Sequence, residues 1–299
     1  MNAARVVGLS PWLPAPVARQ SWWTEPIRAE RLAALRIGVS AVLLVDILCL
    51  YLPQAHIFFG ADSLGSPEIF WRNKAGGSWS ALGMLQDAEW IRAAIVAWAI
   101  AAGMLLAGFC SRLSALACWV FSQSFITLNP WIHNAGDTVR TIILFYLIIS
   151  PCGAVWSIDR QLSGMGRQKT PTFIYPWPIR LLFVQMAVIY FFNGVYKFLG
   201  PQWRAGHTLH YVLSDLSIAR MSYAELPLPL CISQLMTWVV LVWELVFPLL
   251  VTVRRLRNSI LWLGVSLHIG IGLSMELGMF APYMLCLYLP LISWEKKTR

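Results

Sequence analysis

The chain has 299 residues, of which 58% are hydrophobic and only 12% are charged, and its formal net charge is +9. A soluble domain carries charge on about a quarter of its residues, so this composition excludes a mainly soluble protein and predicts an all-α integral membrane protein. The positive charge does not indicate nucleic-acid binding, because no basic stripe with interleaved aromatic residues accompanies it.

Apolar segments dominate the chain from about residue 31 onward. The first 30 residues precede them and are predicted to form a cytoplasmic or interfacial segment. Each apolar segment is about as long as a helix needs to cross roughly 30 Å of hydrocarbon, except the fourth, which is short. The segments are Leu32–Leu52, Trp90–Gly108, Ser114–Leu128, Val139–Ser150, Ile179–Leu199, Leu230–Val253, Ser259–Met275 and Met279–Trp294. We therefore predict a polytopic bundle of about eight transmembrane helices over residues 31–294, followed by a basic cytoplasmic tail over residues 295–299.

The basic residues between these segments are distributed unevenly. With the N-terminus inside, the inner side receives residues 1–31, 109–113, 151–178, 254–258 and 295–299, which contain most of the Lys and Arg outside the spans. The outer loops contain Arg72, Lys74, Arg204 and Arg220. Because Lys and Arg accumulate in cytoplasmic loops, this asymmetry predicts that both termini are cytoplasmic and that the protein is a multi-pass protein of the cell membrane.

The sequence gives little indication of a metal site or of a nucleotide-binding site. The six cysteines include no C-x-x-C pair and no metal-ligand spacing. Most of them fall inside apolar segments and are therefore predicted to be buried packing residues. His207 and His210 lie three residues apart without a third ligand at metal spacing, so no metal site is predicted. The chain also lacks a P-loop, a dinucleotide-binding glycine fingerprint and the G-x-S-x-G motif.

Ionisable side chains inside apolar segments are costly in hydrocarbon and are therefore candidates for a functional site. The candidates within the spans are Arg36, Asp46, Lys197, Glu244 and His268, and two more, Asp137 and Glu276, lie at outer ends. For each of them a structural ion pair or a snorkelling side chain is the alternative explanation. Arg36 and Asp46 are separated by about 15 Å along a helix, so each is predicted to have its partner on another helix.

Lys197 lies on a polar helix face. Tyr190, Asn193, Gly194 and Lys197 follow the i, i+3, i+4, i+7 spacing, so this stripe is predicted to face the interior of the bundle. Desolvation disfavours the charged ammonium, and this is how a lysine becomes a base near neutral pH. The alternative is a lysine that snorkels to the outer headgroups beside Trp203.

Two further groups of polar residues extend the candidate site. Gly264, His268 and Met275 recur at helical spacing, with Glu276 two turns beyond His268, although a lone histidine is also typical of an interhelical hydrogen bond. The outer loop NPWIHNAGD contributes His133, Asn134 and Asp137, which are equally typical of turn chemistry. Together with the ionisable residues of the spans, these groups predict a polar chamber that opens to the outer side.

Several sequence pieces occur in an order and spacing that resemble a known family. They are LRIGVSAVLLVD with the following IFFG, LAGFCSRLSALACWVFSQSFITLNPWIHNAGDTVRTIILF, SPCGAVWSID, VQMAVIYFFNGVYKFLGPQWRAGHTLHYVL, WELVFPLLV and LHIGIGLSMELGMFAPYM. From about Arg31 to Trp294 the chain resembles the horizontally transferred transmembrane (HTTM) domain family, whose best-known relative is the vitamin K-dependent gamma-carboxylase.

The resemblance implies roles for two residues. Lys197, within GVYKFLGPQW, corresponds to a carboxylase lysine proposed as the base that deprotonates reduced vitamin K. His268, followed by Gly278–Met279–Phe280, corresponds loosely to a carboxylase histidine. As a cofactor the resemblance points to a reduced, vitamin K-like quinone, whereas the residues themselves identify none.

Two classes of function stay open. In the first, Lys197 is a base that acts on a lipophilic quinol-type molecule or on a secreted peptide. In the second, the protein is a non-catalytic membrane subunit that supports maturation or export of a secreted peptide or a soluble partner protein. The sequence contains no counterpart of the carboxylase's β-rich lumenal domain, so glutamate carboxylation of a protein is not expected.

Overall fold

The structure is a computed structural model that describes residues 20–60, 63–64, 80–83, 85, 87–164, 172–221, 225, 227–253 and 255–291. Several predicted features lie outside the described residues. They are most of the N-terminal segment (1–19), the tail 295–299, and the basic residues Arg72, Lys74, Arg167, Lys169 and Arg254.

Most of the described chain is helical. The helices are α1 (Gln20–Thr24), α2 (Glu30–Asp46, continued by a π-helical turn, Ile47–Tyr51), α3 (Ala55–Phe58), α4 (Ala88–Ala107), α5 (Ser111–Leu128), α6 (Ala135–Ile149), α7 (Ile158–Leu162), α8 (Trp177–Leu199), α9 (Pro201–Arg204), α10 (Thr208–Ser214), α11 (Leu230–Leu250), α12 (Arg257–Ser274) and α13 (Phe280–Tyr288). A 3-10 turn, Pro130–Ile132, precedes α6. Two short strands, β1 (Ile27–Arg28) and β2 (Phe173–Ile174), pair antiparallel, with Ile27 opposite Ile174.

The predicted apolar segments all contain helix. The helices α2, α4, α5, α6, α8, α11, α12 and α13 each lie largely within one of the eight segments. Four helices are long and apolar enough to cross a membrane, judged by length and composition over the described residues: Glu30–Tyr51, Ala88–Ala107, Trp177–Leu199 and Leu230–Leu250. The all-α, membrane-type class is therefore confirmed, whereas eight crossings and cytoplasmic termini stay predictions.

The chain forms two compact units. The first comprises Met1–Glu25 and Phe183–Glu276, and the second comprises Pro26–Leu182 and Leu277–Arg299. The first therefore contains most of α8 together with α9 to α12. The second contains α2 to α7 and, from the end of the chain, α13.

Glycines permit close helix packing in the second unit. A Cβ atom on Gly38 of α2 would lie 2.5 Å from Leu289 Cδ1, and one on Gly136 of α6 would lie 2.7 Å from the Cα of Phe280. Because small residues allow helices to approach closely, these two positions let the C-terminal segment around α13 pack against α2 and α6.

Arg36 has a structural role in the second unit. Its side chain is fully buried on α2 and donates hydrogen bonds to the carbonyl oxygens of Cys152, at 3.0 Å, and of Trp156. Gly108 lies against it with a φ of +71°, and a Cβ there would lie 2.6 Å from Arg36 Nη1. Arg36 therefore holds the loop between α6 and α7. The sequence predicted a partner on another helix, whereas the partners of Arg36 are backbone carbonyl groups of this loop.

The N-terminus of α5 is capped by a carboxylate from α7. Asp159 accepts hydrogen bonds from the backbone N–H groups of Cys110, at 2.7 Å, and Ser111, at 2.8 Å, and from the Ser111 hydroxyl, at 2.7 Å. Partial burial of Asp159 disfavours its ionisation, but these hydrogen bonds outweigh that effect and hold the pKa of Asp159 below its usual range. The carboxylate therefore stabilises the folded state in its charged form.

We expect Asp159→Ala to lower the free energy of unfolding near neutral pH by about 0.5–2 kcal/mol, the usual range when a capping side chain is replaced by alanine. Because the folded-state pKa is depressed, this contribution is fully present above the unfolded carboxyl pKa of about 3.9 and is lost as the pH falls through the folded value. Melting of the detergent-solubilised proteins should therefore show a difference that shrinks below about pH 4. Glu25→Gln, at an exposed carboxylate outside the helices, is the control, and a pH-independent difference would contradict this interpretation.

Candidate functional site

Lys197 and Glu244 form an ion pair within the first unit. Lys197 lies in the last turn of α8 and Glu244 lies on α11, and Lys197 Nζ is 2.5 Å from Glu244 Oε1. The lysine side chain is 24% exposed, whereas that of the glutamate is only 10% exposed. The ammonium therefore stays partly accessible while it is held by a largely buried carboxylate.

A glycine one turn before Lys197 makes this pair possible. A Cβ on Gly194 would lie 2.9 Å from the backbone nitrogen of Leu245 and 3.1 Å from the carbonyl carbon of Glu244. The neighbours in question are backbone atoms, so a larger side chain would push α8 away from α11. Gly194 therefore sets the helix separation at which Lys197 reaches Glu244.

The second oxygen of Glu244 has unused hydrogen-bonding capacity. Among the described residues, Glu244 Oε2 is buried and has no hydrogen-bond partner. Most buried polar atoms in proteins are paired, so an unpaired one requires an explanation, such as a bound water molecule or a catalytic role. Glu244 can therefore accept a proton, or a hydrogen bond from a ligand, while it remains bound to Lys197.

A second polar pair lies on the same helix. The hydroxyl of Tyr190 on α8 is 2.7 Å from Nε2 of His268 on α12, and both side chains are buried. The Tyr190 ring packs against Trp243 and Phe247 of α11, with centroid distances of 4.6 and 4.7 Å. His268 thus makes the interhelical hydrogen bond that is typical of a lone buried histidine, and it does so two turns of α8 away from Lys197.

Two residues assigned to this site from the sequence are placed elsewhere. Asn193 is exposed, so the buried stripe on α8 contains Tyr190 and Gly194 but not the predicted asparagine. Glu276 does not continue the face of His268, because α12 ends at Ser274 and the chain leaves the helix before it. The exposed Glu276 instead forms an ion pair with Arg220, with Oε2 and Nη1 3.0 Å apart.

The second unit contains a buried group that we call the Arg140 cluster: Asp46, Tyr51, Asp137, Arg140 and Tyr283. Arg140 Nη1 lies 2.9 Å from Asp46 Oδ2, and Nη2 lies 2.9 Å from Asp137 Oδ1. The Tyr283 hydroxyl donates to Asp46 at 2.9 Å, and the Tyr51 hydroxyl donates to Asp137 at 3.5 Å. The planar guanidinium thus uses its two arms to hold two carboxylates, one from α2 and one from α6.

The loop before α6, which the sequence predicts to be an outer loop, supplies helix caps. The Asn134 side chain accepts a hydrogen bond from the Gly136 N–H at 2.7 Å, while Asp137 accepts one from the Asn134 N–H at 2.9 Å. This capping box places Asp137 against Arg140. His133 is exposed, and its Nε2 lies 3.2 Å from the Thr138 hydroxyl. The turn chemistry that was the alternative explanation for Asn134 is therefore present.

The structure divides the predicted site residues between the two units. Tyr190, Lys197, Glu244 and His268 form two pairs in the first unit, whereas Asp46 and Asp137 meet at Arg140 in the second. Arg140 was not predicted as a site residue, although its position three residues after Asp137 is a spacing at which opposite charges meet on a helix. Tyr283 carried no sequence signal, because it reaches Asp46 only through folding.

The described residues contain no group of three or more His, Cys, Asp or Glu side chains placed to hold a metal ion. Comparison with known proteins gives one result: a family model described as HTTM domain matches residues 25–295, which is nearly the whole chain. No curated protein and no solved structure gives a significant match.

Proposed function

The chain belongs to the HTTM domain family, and from this premise we propose that it is a multi-pass cell-membrane protein whose outward-facing polar site uses Lys197 as a base. The membrane placement is supported by four helices long and apolar enough to cross a bilayer and by the basic residues of the predicted inner loops. With both termini in the cytoplasm, the end of α8 that carries Lys197 lies near the outer side.

The observation that carries the proposal is the partly accessible Lys197 ammonium on a largely buried Glu244 carboxylate. In the ligand-free protein the pair is ionised. When a lipophilic substrate excludes water from the site, the lower dielectric constant favours transfer of the ammonium proton to Glu244, because two neutral partners avoid the cost of buried charge. The neutral Lys197 amine then accepts a proton from a substrate hydroxyl, and Glu244 keeps its own. The products are a lysine ammonium and a substrate anion that it stabilises.

The substrate class follows from the setting and from the family resemblance. A molecule that reaches this site from the bilayer must be lipophilic, and it must carry a weakly acidic hydroxyl to need a base. A reduced, vitamin K-like quinol meets both conditions. A secreted peptide that approaches from the outer side is the second candidate.

The alternative function is a non-catalytic membrane subunit that supports maturation or export of a secreted peptide or a soluble partner protein. The observation that favours it is that Lys197 and Glu244 neutralise each other directly, as a structural ion pair would. In that case the pair only holds α8 against α11, and any basic side chain that reaches Glu244 should suffice.

Lys197→Arg separates the two functions. Arginine can keep the ion pair with Glu244, but it stays protonated in proteins and cannot act as a base. With chemically reduced phylloquinone as the probe, under anaerobic conditions near pH 7, we expect the wild-type protein in detergent to produce the absorption of the quinolate anion. We expect the arginine variant to melt like the wild type but to produce no quinolate above the buffer level.

Tyr196→Phe is the matched control, because Tyr196 is the highly exposed neighbour of Lys197 on α8, and this variant should behave like the wild type. An arginine variant that produces as much quinolate as the wild type would rule out Lys197 as the base. A wild-type protein that produces none would reject a quinol substrate and favour the membrane-subunit function.

A further inference from the structure

The segment that follows α8 folds back over Lys197. The helix ends at Leu199, and the N–H of Gly200 lies 3.0 Å from the Lys197 carbonyl oxygen. The chain then forms the short helix α9, whose half-buried Trp203 lies with its ring centroid 4.8 Å from Lys197 Nζ. The ammonium therefore contacts both a carboxylate and an aromatic ring.

The position of this ring is fixed by α11, the helix that carries Glu244. The indole N–H of Trp238 donates to the Arg204 carbonyl oxygen at 3.0 Å, and the Thr237 hydroxyl accepts from the Leu209 N–H at 3.2 Å. Between these contacts Gly206 adopts a φ of +79°, and a Cβ there would lie 2.9 Å from the Trp238 ring. Helix α11 thus carries Glu244 and also fixes the segment that carries Trp203.

A tryptophan face attracts a cation more strongly than other aromatic rings, and the attraction grows when water is excluded. A lysine side chain has several rotamers and loses this freedom when it is held in one place. We propose that Trp203 is a positioning residue, which holds the Lys197 ammonium on Glu244 and shields it from the outer aqueous side. The role of Lys197 as a base comes from the proposed function, on which this inference rests. Its test, however, needs no substrate.

Acylation of Lys197 by a membrane-impermeant sulfo-N-hydroxysuccinimide acetate measures this shielding directly. The full-length protein in vesicles is exposed to the reagent from the outer side, and modified Lys197 is quantified by mass spectrometry of its peptide. We expect Trp203→Leu to raise the acylation rate about tenfold. We expect Trp203→Phe, which keeps a ring of weaker attraction, to raise the rate only about threefold.

Trp262→Leu is the matched control, because Trp262 is an exposed tryptophan of α12 in the same unit. We expect this variant to be acylated at the wild-type rate. If the Trp203→Leu protein cannot be recovered, the smaller rise in Trp203→Phe relative to Trp262→Leu carries the test.

Three outcomes would overturn the proposal: a wild-type rate in both Trp203 variants, equal rates in the leucine and phenylalanine variants, or an equal rise in Trp262→Leu. The first would show that Trp203 shields nothing, and the others that the ring itself is not responsible. An active Lys197→Arg protein would reject Lys197 as the base. That result would not alter the acylation rate of Lys197 in the Trp203 variants, so failure of the proposed function and failure of this inference are distinguishable.

Discussion

Arg140→Met should lower the free energy of unfolding by about 3–5 kcal/mol, because it leaves the carboxylates of Asp46 and Asp137 buried without their counter-charge. Each carboxylate would keep only one tyrosine hydroxyl, Tyr283 or Tyr51, and for Asp137 also a backbone N–H. Since proteins are stabilised by only about 5–15 kcal/mol in total, we also expect a marked loss of folded protein in the membrane.

Unfolding by increasing mole fractions of sodium dodecyl sulfate, followed by tryptophan fluorescence, measures this effect. Arg140→Lys should show an intermediate loss, because a single ammonium cannot reproduce the two-armed contact of the guanidinium. Arg92→Met, at an exposed position of α4, is the control and should stay within about 0.5 kcal/mol of the wild type. An Arg140→Met protein as stable as this control would mean that the cluster does not stabilise the fold.

Lys197→Ala should cost about 3–5 kcal/mol through the same mechanism, since it leaves the buried Glu244 carboxylate without its partner. The loss in free energy of unfolding should lie toward the lower end of this range, because part of the Lys197 side chain is exposed and its charge is screened by solvent. Adding Glu244→Gln to Lys197→Ala removes the stranded charge. We therefore expect the double variant to recover most of the lost stability.

The same unfolding titration on the two single variants and the double variant gives the coupling energy of the pair. A coupling energy near zero would show that the ion pair contributes nothing to folding. Lys197→Arg then separates stability from proton transfer. This variant should be as stable as the wild type, but it should not accept a proton from the substrate.

The sequence alone determined the class of this protein and the approximate positions of the eight helices that lie in apolar segments. Apolar composition and the length of apolar runs report the local free energy of transfer into hydrocarbon, which needs no knowledge of the fold. For the same reason the charged residues inside the runs, such as Lys197, Glu244 and Asp46, were recognisable as residues that require partners. The order of the sequence pieces also predicted the family that the comparison confirmed.

Only the tertiary structure decided which partners these residues have. Lys197 and Glu244 are 47 positions apart, and Arg140 and Asp46 are 94 apart, so no local pattern links them. Their meeting depends on how far each helix is rotated and how closely it packs, which steric contacts at positions such as Gly194 set. Helical spacing could not show that Asn193 is exposed or that α12 ends before Glu276, because both depend on contacts between segments distant in the sequence.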